Sequence, residues 1–399
     1  MEHFDSLVIG GGPAGAAAAI LLSRAGWSVL VSEGKAFPRR KVCGEYLSGT
    51  NWPLFKSLGI EEAFRDLAGP PVTQTAVFAG NKSAFARLPQ PRGQDAMYGR
   101  ALSRQHLDTL LLKRASAGAD VRQPCRCVAF EPEGNEFVAT LDSGPQSTIV
   151  RVRSIIAAHG SWELGELATQ RQTLRNRPSD WLAFKAHFRQ ASLPAGLMPL
   201  LSFPDGYGGM VHCDGGLASL SCCIQRQRLE RLSRTAGESA GAAVLAHILE
   251  STPVLRPILS GAELNESWLA AGPIQPGYRR CFQNGVFLVG NAVGEAHPVV
   301  AEGISMAMQS AGLLAQCLLP HRDCIHQPEV RQRVATEYAA RWKHSFSGRI
   351  KVATAIAHWA MRPGLVAATL PLLRALPPLL TWGAQLSGKA NTIASLDGA

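Results

Sequence analysis

The sequence is poor in charged and aromatic residues, and it contains no internal repeat. Charged residues make up 18% and aromatic residues 7% of the 399 positions, whereas apolar residues make up 46%. Disordered proteins have few apolar residues and a high density of charge, so this composition excludes a largely disordered chain. At this length we expect a folded protein with a large core and two closely packed domains.

Long blocks of like charge are missing as well, although the formal net charge is +10. The 40 lysines and arginines are scattered along the chain, and they form no recognisable nucleic-acid-binding module. We therefore expect no nucleic acid partner. A basic excess also attracts phosphate groups and anionic lipids, which favours an acidic cofactor and leaves peripheral contact with a membrane as a hypothesis.

The cysteines lack the spacing of a metal site or a redox motif. Among the nine, Cys125 and Cys127 are separated by one residue, and Cys222 and Cys223 are adjacent. Neither pair has the CxxC spacing of zinc or thioredoxin-like sites, so we predict no metal and mostly buried, reduced thiols. Residues 1–5 show no secretory signal, and these observations together predict a cytoplasmic location.

The N-terminal region predicts a strand, a helix and a second strand. Residues 6–9 form a short apolar run typical of a buried parallel strand. Residues 14–25 are rich in alanine and leucine and end at Gly26, which predicts a helix with a glycine C-cap. Residues 27–31 are apolar again. The three segments predict a βαβ unit with parallel strands and a right-handed crossover.

A glycine triplet occupies the turn between the first strand and the helix. Gly10, Gly12 and Gly15 satisfy the pattern G-x-G-x-x-G in the context that it requires, after a strand and at the start of a helix. The first glycine permits a tight turn, the second lets the backbone approach a pyrophosphate, and the third lets the helix pack closely on the strand. The turn therefore predicts a dinucleotide site.

The start of this helix and the end of the second strand complete the predicted site. We expect the pyrophosphate to lie at residues 10–15, with Pro13 and Ala14 in the first helical turn, because a helix N-terminus offers free N–H groups and a partial positive charge. Glu33 closes the second strand, where a carboxylate can accept hydrogen bonds from the ribose hydroxyls of an adenosine. These residues alone leave FAD and NAD open.

Segments of α/β character alternate with β-rich segments that are punctuated by glycine and proline. This alternation predicts an α/β fold, in which a Rossmann-like domain with a parallel sheet is interwoven with a β-rich substrate domain and followed by a helical C-terminus. The predicted ranges are residues 1–70, 99–178 and 270–330 for the nucleotide-binding domain, 71–98 and 179–269 for the substrate domain, and 331–399 for the helical region.

Four segments carry a family resemblance. They read GNAVGEAHP at 290–298, AEGI at 301–304 with SAG at 310–312, FPRRKVCGE at 37–45 and SRQHLD at 103–108. Taken in chain order, they resemble flavoproteins built like p-hydroxybenzoate hydroxylase and, within that superfamily, they are most similar to the geranylgeranyl reductase branch. The resemblance spans residues 4–320 and implies that the dinucleotide is FAD.

The resemblance implies flavin contacts in the second half of the chain, beginning at Gly290. Asn291 stands where the family places an acid on the ribityl chain, and its amide can still hydrogen-bond a hydroxyl. Pro298 stands where the family packs a proline beside the isoalloxazine ring. The following helix is expected to begin near residue 301, so that the amides of Gly303 and Ile304 face the N1/O2 edge and stabilise the negative charge of reduced flavin.

Two arginines of the resembling segments are candidates for the other end of the cofactor. Arg39 lies in the basic segment, and Arg104 lies at the predicted start of a helix. Either guanidinium can pair with an FAD phosphate or order the adenosine side. A solvated surface position is an equally good interpretation of each residue from the sequence alone.

The chain also departs from the family pattern. The hydroxylases carry an Asp-Gly pair where His159 and Gly160 stand here, and a neutral histidine does not replace a permanent negative charge. The geranylgeranyl reductases carry an aromatic substrate motif of which only Phe203 and Pro204 remain. The Trp-x-Trp-x-Ile-Pro motif of tryptophan halogenases is missing, which disfavours halogenation.

Three residues are candidates for catalysis, each with a simpler alternative. Cys43 could donate a proton or act as a redox partner, or it could fill space in the core. Tyr207 could pack over the flavin or supply a phenolic proton, or it could anchor a turn. His297 could act as a general acid or base, or it could hydrogen-bond within its loop.

These features predict an FAD-dependent oxidoreductase that acts on a hydrophobic, unsaturated small molecule of isoprenoid or polyketide type. The expected reaction is hydride transfer from flavin to a carbon–carbon double bond. One alternative is a monooxygenase that hydroxylates an aromatic or quinone-like ring, and another is a non-catalytic flavin electron relay. NADPH or NADH is a candidate electron donor, and a separate flavin-reducing protein is a candidate partner.

The segment 363–386 is strongly apolar and approaches the length of a membrane span. Arg374 and the prolines Pro371, Pro377 and Pro378 interrupt it, which argues against a spanning helix. We expect terminal helices packed against the core. The alternative is a membrane-surface or lipid-channel element for a hydrophobic substrate.

Overall fold

The computed structural model describes residues 1–89, 97–144, 146–161, 165–170, 176–236 and 239–386. Residues 387–399 of the predicted helical region and residues 90–96 of the predicted substrate domain therefore lie outside the described residues. Two large sheets dominate the described part of the chain, and helices cover both of them.

The strands of the described residues are short to medium in length. In chain order they are β1 Glu2–Ile9, β2 Val29–Ser32, β3 Tyr46–Leu47, β4 Gln74–Ala79, β5 Lys82–Arg87, β6 Arg100–Ala101, β7 Asp120–Arg122, β8 Arg126–Glu133, β9 Glu136–Asp142, β10 Ser147–Ala157, β11 Trp181–Arg189, β12 Leu197–Phe203, β13 Gly206–His212, β14 Ala218–Gln225, β15 Glu263–Leu264, β16 Leu269–Ile274, β17 Gly277–Tyr278, β18 Phe282–Gln283, β19 Val286–Leu288 and β20 Gly294–Glu295.

The helices range from a single turn to 33 residues. In chain order they are α1 Pro13–Arg24, α2 Trp52–Leu58, α3 Glu61–Leu67, α4 Arg104–Ala115, α5 Arg226–Ala236, α6 Ala240–Ser251, α7 Arg256–Leu259, α8 Gly303–Leu318, α9 Pro328–Ala360, α10 Pro363–Ala375 and α11 Pro378–Ala384.

The first sheet has the strand order β18-β19-β10-β1-β2-β7, and β9 and β8 extend it from β10. β1 lies between β10 and β2 and pairs with both in parallel. The last five residues of β1 are buried, as expected of a parallel strand covered by helices on both faces. The carboxyl ends of β1, β2, β10 and β19 therefore meet at one edge of the sheet, where α/β proteins bind their ligands.

Glycines at this edge bring helix and strands into close contact. A Cβ atom on Gly15 would lie 1.8 Å from the carbonyl oxygen of Gly10, so α1 can begin this close to β1 only with glycine there. Gly10 itself has a φ of +106°, and a Cβ on it would lie 2.8 Å from the oxygen of Ala158 at the end of β10. The glycine spacing thus places the N-terminus of α1 directly above the strand ends.

The second sheet has the order β15-β11-β14-β13-β12-β4-β5, with β16 also paired to β11. Its neighbours are antiparallel except for β12 and β4. Successive side chains point to opposite faces, so the adjacent Cys222 and Cys223 lie in different clusters. Cys222 packs in the core beneath α6, whereas Cys223 packs on the opposite face of the sheet, in a cluster with Tyr207 and Val42.

The C-terminal helices extend the structure along the second sheet. Val366 and Leu370 of α10 are buried against Val77, Ala79 and Ala84 of the β4–β5 hairpin. Among the described residues, no single helix is long and apolar enough to cross a bilayer. Two pairs of helices, α6 with the short helical segment that follows it and α10 with α11, are long and apolar enough only when each pair is taken together. Each pair is bent by more than 100°.

The predicted fold class is confirmed: a parallel-sheet α/β domain, an interwoven β-rich sheet and a helical C-terminus are all present. The predicted start of the late helix near residue 301 was two residues too early. Ala301 adopts a left-handed φ of +53°, which no α-helix accommodates, and α8 begins at Gly303. The exact domain boundaries stay a prediction.

Candidate functional site

A cavity of about 780 Å³ lies between the two sheets at the carboxyl edge of the parallel strands. This volume falls within the range of small-molecule and cofactor sites. One end is formed by the glycine turn and α1, and the other by the second sheet and the helices α10 and α11. Of the residues predicted from the sequence, it is lined by Gly10, Gly12, Pro13, Ala14, Glu33, Arg39, Cys43, Arg104, Tyr207, Gly290, Asn291, Pro298, Gly303 and Ile304.

The N-terminus of α1 faces this cavity without a side-chain cap. Gly12 is the N-cap residue and Pro13 follows it, so neither offers a capping side chain. Among the described residues, a Cβ atom on Gly12 would meet only the Nη2 atom of Arg104, at 4.0 Å. A Cβ on Gly10 or Gly15 would instead clash with backbone, and one on Gly11 would meet the side chains of Leu112 and Glu33. The open space beside uncapped N–H groups fits a phosphate, which helix N-termini bind through hydrogen bonds and the helix dipole.

Glu33 is held in place at the same end of the cavity. Its Oε2 atom accepts a hydrogen bond of 2.7 Å from the N–H of Gly11, and its Oε1 atom accepts one of 2.9 Å from the N–H of Lys35. The Nη2 atom of Arg39 lies 3.7 Å from Oε2. The buried carboxylate is therefore oriented by backbone donors while a guanidinium stays beside it, an arrangement suited to ribose hydroxyls and phosphate together.

Arg104 is buried and paired. Its Nε and Nη2 atoms donate to the two carboxylate oxygens of Asp108 at 2.6 and 2.7 Å, a bidentate pair between the first and second turns of α4. The guanidinium also lies within hydrogen-bonding reach of the thiol of Cys43. Arg104 thus fixes the wall of the cavity near Cys43, and most of its charge is neutralised within the protein.

A second helix N-terminus faces the same cavity from the opposite side. α8 begins at Gly303 after Glu302, and no described side chain caps it. A Cβ atom on Gly303 would meet no atom of the described residues within 4 Å. Gly290 has a φ of +64°, and a Cβ on it would lie 2.9 Å from the Cβ of Ala14, so the loop after β19 can approach α1 only with glycine there.

These features fit flavin adenine dinucleotide. The cavity has one uncapped helix N-terminus for the pyrophosphate, an acid for the ribose and a second uncapped N-terminus for an electron-rich ring edge. Each end is left open by a glycine whose Cβ would project into free space. Gly15 does not line the cavity, because its role is to let α1 approach β1.

Tyr207 and His297, predicted separately, are hydrogen-bonded to each other. The Tyr207 hydroxyl contacts Nδ1 of His297, and the Trp181 ring meets the His297 ring edge-on at 5.3 Å between centroids. Burial raises the pKa of Tyr207 well above its usual value of 10. Burial likewise lowers the pKa of His297, to about 4. Both side chains are therefore neutral near pH 7.

Glu295 is a cavity residue that sequence reasoning missed. It is 5% exposed, accepts a hydrogen bond of 3.1 Å from the Ser161 hydroxyl and lies 3.5 Å from Nη2 of Arg279. Burial raises the pKa of Glu295, and Arg279 and Ser161 only partly offset this effect. The residue stands within the resembling segment 290–298, so its position beside the predicted flavin contacts was the available signal.

A buried charge cluster was also missed. Glu45, from the segment 37–45, pairs with Lys185 and hydrogen-bonds Nε2 of His187 at 2.8 Å, and both partners lie on β11. Burial alone would raise the pKa of Glu45, but the hydrogen bond from His187 and the charge of Lys185 lower it to about 2. Cys213 lies close enough to complete a three-ligand metal set with Glu45 and His187. The Lys185 ammonium already compensates the carboxylate, which disfavours a bound cation there.

The charge cluster gives a prediction about stability. Lys185→Met leaves the buried Glu45 carboxylate without its cation, so we expect a loss of about 3–5 kcal/mol in the free energy of unfolding. The double variant Glu45→Gln/Lys185→Met removes both charges and should recover part of this loss. Urea unfolding monitored by circular dichroism measures both values. A single variant as stable as the wild type would contradict the ion pair.

Acid titration gives an independent readout of the same cluster. Because the pKa of Glu45 is lowered from 4.5 to about 2, the stability that this carboxylate contributes is present above pH 4.5 and is lost as the pH falls towards 2. The double variant lacks the titrating group, so its stability should fall less steeply over that interval.

The glycine turn gives a prediction about cofactor binding. Gly12→Ala adds a methyl group to the open space at the start of α1, where the backbone conformation accepts alanine. We expect the apoprotein to keep its thermal stability and the Kd for FAD to rise at least about tenfold. Gly348→Ala, at an exposed position in α9, is the matched control and should leave the Kd unchanged. Unchanged FAD affinity in Gly12→Ala would contradict the site.

Comparisons with known proteins agree with this geometry. The family model described as FAD binding domain matches residues 3–321. The chain is 25% identical over 358 residues to digeranylgeranylglycerophospholipid reductase 1 of Methanococcoides burtonii, covering 88% of this chain and 82% of the relative. It is 24% identical over 372 residues to conditioned medium factor receptor 1 of Dictyostelium discoideum, covering 86% and 69%.

A solved structure shares the fold. The myxobacterial chondrochloren halogenase CndH, an FAD-dependent halogenase, superposes with a TM-score of 0.75 at 21% identity, covering 88% of this chain and 82% of the halogenase. The resemblance drawn from the motifs to the p-hydroxybenzoate hydroxylase superfamily and its geranylgeranyl reductase branch is confirmed. The chain belongs to the FAD binding domain family, and it is an FAD-dependent oxidoreductase.

Proposed function

We propose that this enzyme reduces a carbon–carbon double bond of a hydrophobic substrate of isoprenoid or polyketide type. The observation that carries the proposal is the continuity of the cavity. The cavity that Gly303 lines is lined as well by an apolar chamber surface that includes Val77, Leu200, Leu373 and Leu380. A chamber of this composition favours an extended apolar molecule placed against the flavin end and excludes water from the reacting atoms.

When bound, reduced FAD supplies a hydride to one carbon of the double bond. The chain supplies the proton for the other carbon, and Tyr207 is the best-placed donor. We assign the tautomer of His297 in which Nδ1–H donates to the Tyr207 oxygen, and the N–H of Val299 donates to the same oxygen. These two donors stabilise the phenolate that remains after the proton leaves, and water that enters the cavity after the product has left then reprotonates it.

One of the relatives supports reduction. The relative from Methanococcoides burtonii is named as a reductase of a lipid with geranylgeranyl chains. His159 lines the cavity at the position where the hydroxylases carry an acid. Its two ring nitrogens hydrogen-bond the Gly160 carbonyl and the Thr169 hydroxyl.

We infer that NADPH or NADH provides the electrons either directly or through a flavin-reducing partner protein.

The test is an anaerobic single turnover. Enzyme with photoreduced FAD is mixed with lipid-extract fractions, and flavin reoxidation is followed at the absorbance of oxidised flavin while products are analysed by mass spectrometry. We expect one fraction to reoxidise the flavin without O₂ and to yield a product two hydrogen atoms heavier. A product that appears only with O₂ and gains an oxygen atom would establish a monooxygenase. Reoxidation only by a protein partner, with no altered small molecule, would establish an electron relay.

The donor role of Tyr207 gives a further prediction. Tyr207→Phe keeps the ring but removes the proton, so the rate of flavin reoxidation should fall by about 10²–10⁴-fold while FAD content stays unchanged. Tyr278→Phe, on β17 and outside the cavity, is the matched control and should keep the full rate.

Two substitutions of His297 separate hydrogen bonding from packing. His297→Asn retains an N–H donor near the position of Nδ1 and should keep most of the rate, whereas His297→Leu should lose most of it. A Tyr207→Phe variant that turns over as fast as the wild type would exclude this residue as the donor.

A further inference from the structure

The bent helix pair α10–α11 exposes an apolar face to solvent. The side chains of this face are 38–60% exposed: Leu365, Leu372, Leu376, Leu379 and Trp382. Leu386, just beyond α11, is 48% exposed. The opposite side of α10 is buried against the β4–β5 hairpin through Val366 and Leu370. The helix pair is thus held firmly by one side and presents leucines and a tryptophan on the other.

This face surrounds the mouth of the cavity. Leu372 and Leu379 line the cavity and are also exposed, so they stand where the cavity meets the outside. The hydrogen bonds from Arg374 to the carbonyl of Ser83 and from Thr381 to the carbonyl of Arg87 tie both helices to β5 around that opening. A molecule that leaves the cavity here passes directly over exposed leucines.

The charges of the segment that carries the face have one sign. Residues 338–386 contain six lysines and arginines and no aspartate or glutamate. Lys351 and Arg362 are exposed on the segments that lead into α10, and Lys82 and Arg87 are exposed on the adjoining strand β5. Basic side chains around leucines and a tryptophan, on helices lying along the surface, are typical of elements that bind at the interface of an anionic bilayer.

We propose that α10–α11 is an interfacial membrane-binding element that seats the cavity mouth on an anionic lipid bilayer. The leucines and Trp382 enter the boundary between headgroups and acyl chains, and the basic residues contact lipid phosphates. The opening between Leu372 and Leu379 then faces the lipid, so that an apolar molecule passes between bilayer and cavity without crossing water. This inference goes beyond the proposed reaction and does not depend on it.

The test is vesicle flotation of the FAD-loaded full-length protein. Vesicles of phosphatidylcholine alone are compared with vesicles that also contain phosphatidylglycerol, at low and high salt. We expect binding to the anionic vesicles that weakens with salt. Binding should be accompanied by a blue shift in tryptophan emission that Trp382→Phe diminishes. Catalytic activity does not enter the measurement, so a failure here is distinct from a failure of the proposed reaction.

Two matched pairs of variants sharpen the test. Leu365→Ser/Leu376→Ser/Trp382→Ser changes exposed residues that do not line the cavity and should lower vesicle partitioning by on the order of 100-fold. Leu67→Ser/Ile149→Ser/Leu264→Ser changes similarly exposed residues elsewhere and should leave it unchanged. Lys351→Gln/Arg362→Gln should lower it by roughly 30-fold, whereas Lys113→Gln/Arg333→Gln, also at exposed positions, should not.

Three outcomes would overturn the proposal. The first is an absence of binding to either vesicle by the folded protein. The second is equal partitioning of the apolar triple variant and its control. The third is a wild-type protein that sediments as a dimer and does not bind vesicles, together with a triple variant that sediments as a monomer. This result would show that a second copy covers the face.

Discussion

The N-termini of α1 and α8 determine where the rest of the site lies, because both face one cavity and no described side chain caps either of them. Helix N-termini attract negative charge, and an FAD molecule carries such charge at its pyrophosphate and, when reduced, at one edge of its ring. Gly15 allows α1 to begin close to β1, and Gly290 allows the loop after β19 to approach Ala14 of α1 and Ala307 of α8. A Cβ on Gly12 or Gly303, at the two helix starts, would project into open space, so the amides there remain accessible to a ligand.

The second constraint is the carboxylate of Glu45. It accepts hydrogen bonds from the N–H of Arg104, at the start of α4, and from Lys185 and His187 on the second sheet. A single buried anion therefore joins the cofactor domain to the sheet that carries Tyr207. Burying three ionisable groups is costly, and the cluster is tolerable only because every charge has a close partner.

Local sequence predicted the features that depend on local chemistry. The glycine turn, Glu33 and the βαβ unit follow from spacing and strand texture, and the resemblance placed Gly290 and Pro298 at the same cavity. The pairing of Tyr207 with His297 joins positions 90 residues apart, and that of Glu45 with Lys185 joins positions 140 apart, so no periodicity reveals either. The start of α8 was misjudged because the left-handed conformation of Ala301 has no signal in residue type. The sequence did not reveal which faces of α10 and α11 pack on β5, so it left open whether these helices are core helices or a membrane-surface element.

A crystal structure of the protein reconstituted with FAD tests the central claim most directly. We expect one FAD per chain, with its pyrophosphate at the amides that begin α1, its adenosine ribose at Glu33 and the N1/O2 edge of its ring at the amides that begin α8. FAD bound with its ring away from Gly303, or a cavity that remains empty in a correctly folded protein at saturating FAD, would contradict it.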